Sequence, residues 1–195
     1  MKIKSYKFWI LLPVAVTLTN CSGSKNEEKT TATEIEQPAP TPPQYSVDVA
    51  FQQQLADLFT ANVGLKDAFV ASDPAQVKEQ AGKVKQALAN VKMDLLSGEA
   101  HDKWMEYLNG MDGALMEMQG TSDIEAQRGS FSIFSNSLYS SLKAYGTGGV
   151  KAYYEYCPMA FNNKGAYWLS ETDNIRNPYF GDKMLSCGSV QETIE

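Results

Sequence analysis

The sequence predicts a mainly α protein: an antiparallel four-helix bundle followed by an irregular C-terminal segment that carries short strands and loops. Three observations lead there. From Ser46 to Tyr145 apolar residues recur at spacings of three and four, the signature of amphipathic helices. That stretch is cut by Ser72-Asp73-Pro74, Ser97-Gly98 and Gly120, each a helix stop or start signal. After Val150 the helical period vanishes, and aromatic, Gly, Asn and Pro residues take over. Four helices joined by short turns can bury their stripes only against one another, which favours an up-down-up-down topology.

The first helix places Phe51, Leu55, Leu58, Phe59, Asn62, Leu65 or Lys66, and Phe69 along one side. Asp73 then offers a cap and Pro74 occupies a first helical position, where a missing N–H costs nothing. The second helix carries a regular seam of Val77, Ala81, Val84, Leu88, Val91 and Leu95, ended by Ser97-Gly98. Trp104, Leu108, Met111, Leu115 and Met118 define the third helix, ended by Gly120. Ser122 or Asp123 caps the fourth, along which Ile124, Gln127, Phe131, Phe134, Leu138, Leu142 and Tyr145 line up until the Gly146–Gly149 run. Met93, Met105, Met111, Met116 and Met118 read as core filling at helical spacing. His101, the single histidine, reads as a surface or capping residue.

Ahead of the bundle, Lys2, Lys4 and Lys7 precede the uncharged run Phe8 to Leu18, which together read as a signal peptide over residues 1–20. The run is too short for a helix to cross a hydrocarbon core, which takes roughly 20 residues. Leu18-Thr19-Asn20-Cys21 resembles a lipobox, with Asn20 in place of the usual small residue, so Cys21 is the expected lipidation site. The competing reading is an ordinary secretory signal with Cys21 left as a thiol. Residues 21–45, polar and bearing Pro38, Pro40, Pro42 and Pro43, form a disordered tether. The expected partition is therefore signal 1–20, tether 21–45, bundle 46–146, and a segment 147–195 packed on the bundle as part of one domain. Removing the signal takes 17 Lys+Arg to 14 against 23 Asp+Glu, a formal charge of −9, which excludes a basic nucleic-acid interface as the organising feature.

The chemistry is concentrated in the last segment, in Cys157-Pro158-Met159 and Met184-Leu185-Ser186-Cys187. A residue at i and another at i+2 share a face of extended chain, and residues at i and i+3 share a face of a helical turn. If the intervening loop folds back, two thiols and two thioethers converge on a site of soft donors, which select Cu(I) over Mg²⁺ or Ca²⁺. A structural zinc site is disfavoured, since no His or further Cys lies nearby. The other reading of the same pair is a Cys157–Cys187 disulfide, an even count in an oxidising compartment. Spacing supports both. Asn177-Pro178-Tyr179-Phe180-Gly181 reads as a turn, and Tyr167, Trp168 and Tyr179 as cover for the bundle end.

The words YCPMAFNNKGAYWLS, IRNPYFG and KMLSCG, with LKDAFVASD (Leu65 to Asp73) and DIEAQRGSFSIFSNSL (Asp123 to Leu138), carry a resemblance. From about Val47 to Val190 the chain resembles a bacterial family of unknown function, also found appended to periplasmic adaptor subunits of copper and silver efflux pumps. The resemblance implies a stand-alone metal-binding or metal-sensing envelope module beside heavy-metal export, with efflux-pump components as partners, and carries the family's CPM word onto Cys157, Pro158 and Met159 and its ML-x-CG word onto Met184, Leu185, Cys187 and Gly188. The lipid on Cys21 would hold it to a membrane, at the periplasmic or outer-membrane surface. Catalysis is not expected, because the chain has one histidine, no nucleophile with a recognisable base, and no Gly-rich phosphate loop.

Overall fold

The computed structural model describes residues 42–195, so the signal, most of the tether and Cys21 lie outside the described residues. Four long helices come first: α1 (Val49–Val70), α2 (Pro74–Ala89), α3 (Gly98–Gly120) and α4 (Ile124–Tyr145). Each packs on the next, and α4 returns against α1. A small antiparallel sheet follows, made of β1 (Ala152–Cys157), β2 (Ala166–Ser170) and β3 (Ser189–Ile194) in the order β2-β1-β3. Among the described residues no helix is long and apolar enough to cross a membrane.

Side-chain caps start three of the helices where free backbone N–H groups need acceptors. Asp48 accepts from Ala50, Asp73 from Ala75 and Gln76, and Asp123 from Glu125. Pro74 sits at the first turn of α2, and Gly146 stops α4 at φ +95°, a conformation open mainly to glycine.

Apolar stripes meet inside. Phe51, Trp104 and Tyr145 are fully buried and contact one another edge to face with centroids 5.2–6.1 Å apart, joining α1, α3 and α4 at one end. Toward the other end Phe69 and Phe131 meet at 4.6 Å. Val77, Ala81, Val84 and Leu88 form the buried seam of α2.

Two expectations need correction. The seam of α2 stops at Ala89: Asn90 caps the helix, Lys92 N–H is taken by Gln54 Oε1, and Met93–Leu95 form a single 3₁₀ turn. Leu95 therefore turns outward at 37% exposure, while Val91 and Leu96 close the bundle. The methionines divide as well. Met111 and Met118 are fully buried, but Met93 and Met116 are 46% and 57% exposed, because they fall off the apolar stripe.

The sheet is tied to the bundle on both sides of its register. In β1, Tyr154 pairs with Leu169, Glu155 with Trp168, and Cys157 with Ala166. A bulge at Tyr154/Glu155 shifts the pairing to β3. Tyr139 of α4 stacks on Tyr154 at 3.7 Å, Tyr154 stacks on Tyr167 at 4.7 Å, and Tyr139 Oη and Lys143 Nζ both bond the Glu192 carboxylate of β3. Trp168 and Tyr179 are buried between sheet and bundle, Tyr179 lying 5.9 Å from Phe131, so they do cover the bundle as expected; Tyr167 instead joins the outer tyrosine stack.

Candidate functional site

Cys157 closes β1 and is fully buried, and Cys187 lies in the loop that leads into β3, half-buried. Both are free thiols, with Sγ atoms 3.1 Å apart. Hydrogen bonding to Cys157, then burial, pushes the Cys187 thiol above its ordinary range, while the Met159 backbone N–H pulls in the opposite direction. Cys187 N–H in turn donates to Met184 C=O at 3.0 Å. The Cys187 backbone is thus tied to that of the second methionine word.

Three local devices place Cys187 there. Gly188 sits at φ +150°, and a Cβ on it would fall 2.8 Å from Trp168 and 2.9 Å from Tyr156 C=O, so only glycine lets this loop lie against β1. Asn177, fully buried, donates from Nδ2 to Cys187 C=O at 2.7 Å and accepts at Oδ1 from Tyr179 N–H at 2.8 Å. Its own N–H donates to Leu185 C=O at 2.8 Å. The expected turn at Asn177–Gly181 is present, closed by Gly181 N–H on Asn177 C=O. Arg128 of α4, also buried, pins that turn: Nε donates to Pro178 C=O at 3.0 Å, Nη2 to Ser72 Oγ at 2.9 Å and Nη1 to Glu125 at 2.6 Å.

Met159 is presented by an unusual piece of backbone. Phe161, Asn162 and Asn163 all have φ between +51° and +66°, a left-handed turn of three non-glycine residues. Left-handed residues cost roughly 1–2 kcal/mol each, less for Asn. Here the Phe161 ring packs edge to face on Tyr179 at 5.4 Å, and Gly165 lies so close to the Tyr156 ring that a side chain would collide with it. The turn projects Met159 to the surface, 45% exposed. Met159 and Met184 line one open pocket of about 430 Å³, together with Phe161, Tyr179, Phe180 and Glu125.

The four expected sulfur residues fall into two pairs: the thiols meet each other inside, and the thioethers share the wall of a pocket that neither thiol lines. Among the described residues no three His, Cys, Asp or Glu side chains stand within reach of a single ion. His101 lies near the start of α3, 3.5 Å from Asp102, and joins neither pair.

A second polar cluster was not visible in the sequence. Lys66 of α1, only 1% exposed, reaches Glu171 at 2.7 Å. Glu155 of β1 is fully buried with neither carboxyl oxygen hydrogen-bonded, and the Trp168 indole N–H lies beside it without meeting hydrogen-bond geometry. Burial pushes the Glu155 carboxyl up to about 8, partly offset by the Lys66 cation. Asn62 Nδ2 reaches Leu169 C=O at 3.5 Å from the same side. The polar Asn62 and Lys66 on the buried stripe of α1 were the only sequence signal.

Fold and site together define a helical-bundle domain closed by a small sheet that carries a pair of thiols. Over residues 58–149 the chain matches the family model described as "Protein of unknown function (DUF3347)". The matched stretch runs from within α1 to just before β1 and ends ahead of all four sulfur residues. No curated protein and no solved structure matches the chain.

Proposed function

We propose that this protein binds a soft heavy-metal ion, Cu(I) in the first place, at Cys157, Met159, Met184 and Cys187, and serves copper handling or efflux in the cell envelope. One observation carries the reading: two short sequence words place their thiols in contact and their thioethers on the wall of one pocket. Donors of this softness favour Cu(I), and ligation by both thiols releases two protons as the thiolates form. The resemblance to domains appended to copper and silver efflux adaptors supports the same context. Lipidation of Cys21 would supply the location, holding the protein to a membrane at the periplasmic or outer-membrane surface. Efflux-pump components there are the partners this reading implies.

The fit requires one local movement. Sulfurs bound to a common ion through bonds of about 2.3 Å stand about 3.8 Å apart in a tetrahedral arrangement and about 4.6 Å in a linear one. At 3.1 Å the thiols are closer than that. Cys157 is held in a strand, so Cys187, on irregular chain, is the side that opens.

The same proximity favours a second reading, a binding module stapled by a Cys157–Cys187 disulfide that never holds metal. Closing this loop, with the cysteines 30 positions apart, stabilises a fold by about 3–4 kcal/mol in the chain-entropy model. Titration of reduced protein with Cu(I) against a chromophoric chelator separates the two. The metal reading expects stoichiometric competition that disappears in a Cys157→Ser, Cys187→Ser variant. Equal behaviour of variant and parent, with a mass two hydrogen atoms short in the oxidised parent, would leave only the staple.

A further inference from the structure

The four sulfur residues do not stand at one depth. Met159 is 45% exposed and Met184 half-buried, both on the wall of the open pocket, whereas Cys157 is fully buried and Cys187 reaches inward to it. Nor are they equally ready to accept a cation. A thioether has no proton to lose and binds a soft ion as it stands, though weakly. The thiols touch each other through a hydrogen bond, have no room for an ion between them at 3.1 Å, and become strong donors only after losing their protons. First contact with an incoming ion therefore falls to the thioethers.

From this geometry we infer a division of labour that rests on the soft-cation reading: Met159 and Met184 are capture ligands that set the rate of Cu(I) uptake, while Cys157 and Cys187 are the resting ligands that set affinity. The left-handed turn keeps Met159 at the pocket mouth whether or not an ion is present, because Phe161 is anchored on Tyr179. Cys187 donates its backbone N–H to Met184 C=O, which ties it to one of the two methionine words. The transfer requires its side chain, on irregular chain, to rotate from Cys157 toward the pocket. The transfer involves no change of oxidation state: one Cu(I) moves from two neutral thioethers to two thiolates, and two protons leave to solvent. Selectivity follows, since Zn²⁺ gains little from thioethers and misses the capture step.

The test uses the reduced full chain and Cu(I) delivered from a chromophoric chelator in a stopped-flow instrument, comparing the parent with a Met159→Leu, Met184→Leu variant. Leucine keeps volume and apolarity, and a thermal melt matched to the parent's establishes an intact fold. Uptake slower by about a decade, with equilibrium affinity within about threefold, is the expected result, since related variants differ in association rate over about 1–3 decades. Affinity falling in step with the rate places the methionines in the resting shell and overturns the inference. An unchanged rate overturns it too. A parent chain that takes up no Cu(I) at all removes the soft-cation reading along with it, an outcome distinct from either of these.

Discussion

The helical bundle and the C-terminal sheet are held by different physics. In α1 to α4 the buried set is mainly apolar, with Asn62, Lys66, Gln127, Arg128 and three serines among it, and its apolar members form one continuous core in which the loss of one contact is shared among many. In the segment from β1 to β3 the decisive contacts are single and polar: one asparagine clamps the Cys187 loop, one arginine pins the Asn177–Gly181 turn, and one glycine permits close approach to β1. The first region specifies shape by bulk and period. The second specifies position by individual bonds, which is what a site needs and what periodicity cannot encode.

The largest effect that separates the regions comes from the bundle. Trp104 is fully buried against Phe51 and Tyr145, and Trp104→Ala removes that ring from a cluster joining three helices. A loss of about 3–5 kcal/mol of unfolding free energy is expected in urea titration. The Cys157–Cys187 pair lies at the sheet, away from this end, so the folded fraction of the variant should keep parental thiol reactivity. A change in thiol reactivity within the folded fraction would mean the two regions are not separately held.

This division also decides what was legible in the residues. Val77, Ala81, Val84 and Leu88 announce α2 because a helix of 3.6 residues per turn must repeat its buried side, and all four are buried. The same rule overreached at Leu95, where the seam continues in sequence after the backbone has left the helix. It also misread Met93 and Met116, which are apolar yet lie on the solvent side. In the sheet, strands of five and six residues are too short for a clear alternation, and the bulge at Tyr154/Glu155 breaks what alternation there is. The sulfur words were readable because Cys and Met carry their chemistry with them. Asn177 was readable only as a turn former: its clamp on Cys187 is made across ten residues by tertiary structure. Glu155 gave no signal, and Lys66 showed only as a polar residue on the stripe of α1, since a buried charge is defined by surroundings and not by sequence.

Glu155 offers a way to sharpen the contrast through pH. Burial raises its carboxyl from 4.5 to about 8 in the folded chain, so between these values the fold holds the proton that the unfolded chain has released. The stabilising contribution is complete below pH 4.5 and is lost as pH rises through 8. Discounted for relaxation and solvent screening, it amounts to about 2–3 kcal/mol. Glu155→Gln removes the titration, so urea midpoints measured across this window should fall with rising pH in the parent and stay flatter in the variant. Parallel curves would show that the carboxyl is ionised in the fold, compensated by Lys66.

The smallest effect on global stability, and the sharpest on the site, is expected from Asn177→Ala. The substitution deletes one donor and one acceptor, leaving Cys187 C=O and Tyr179 N–H without their partner at a cost of about 1–2 kcal/mol. That is less than the Trp104 change, because the bundle does not depend on this loop. The loop, however, depends on Asn177: with the clamp gone, Cys187 is tied to its surroundings by its Met184 bond and its contact with Cys157. The rate at which a thiol-specific reagent modifies Cys187 in the folded reduced protein should therefore rise by about tenfold or more for that small loss of stability, the reverse of Trp104→Ala, which lowers stability and leaves folded-state reactivity unchanged. A variant whose thiol reactivity tracked its stability alone would place the control of Cys187 in the packing of Trp168 and Gly188 instead of in the asparagine.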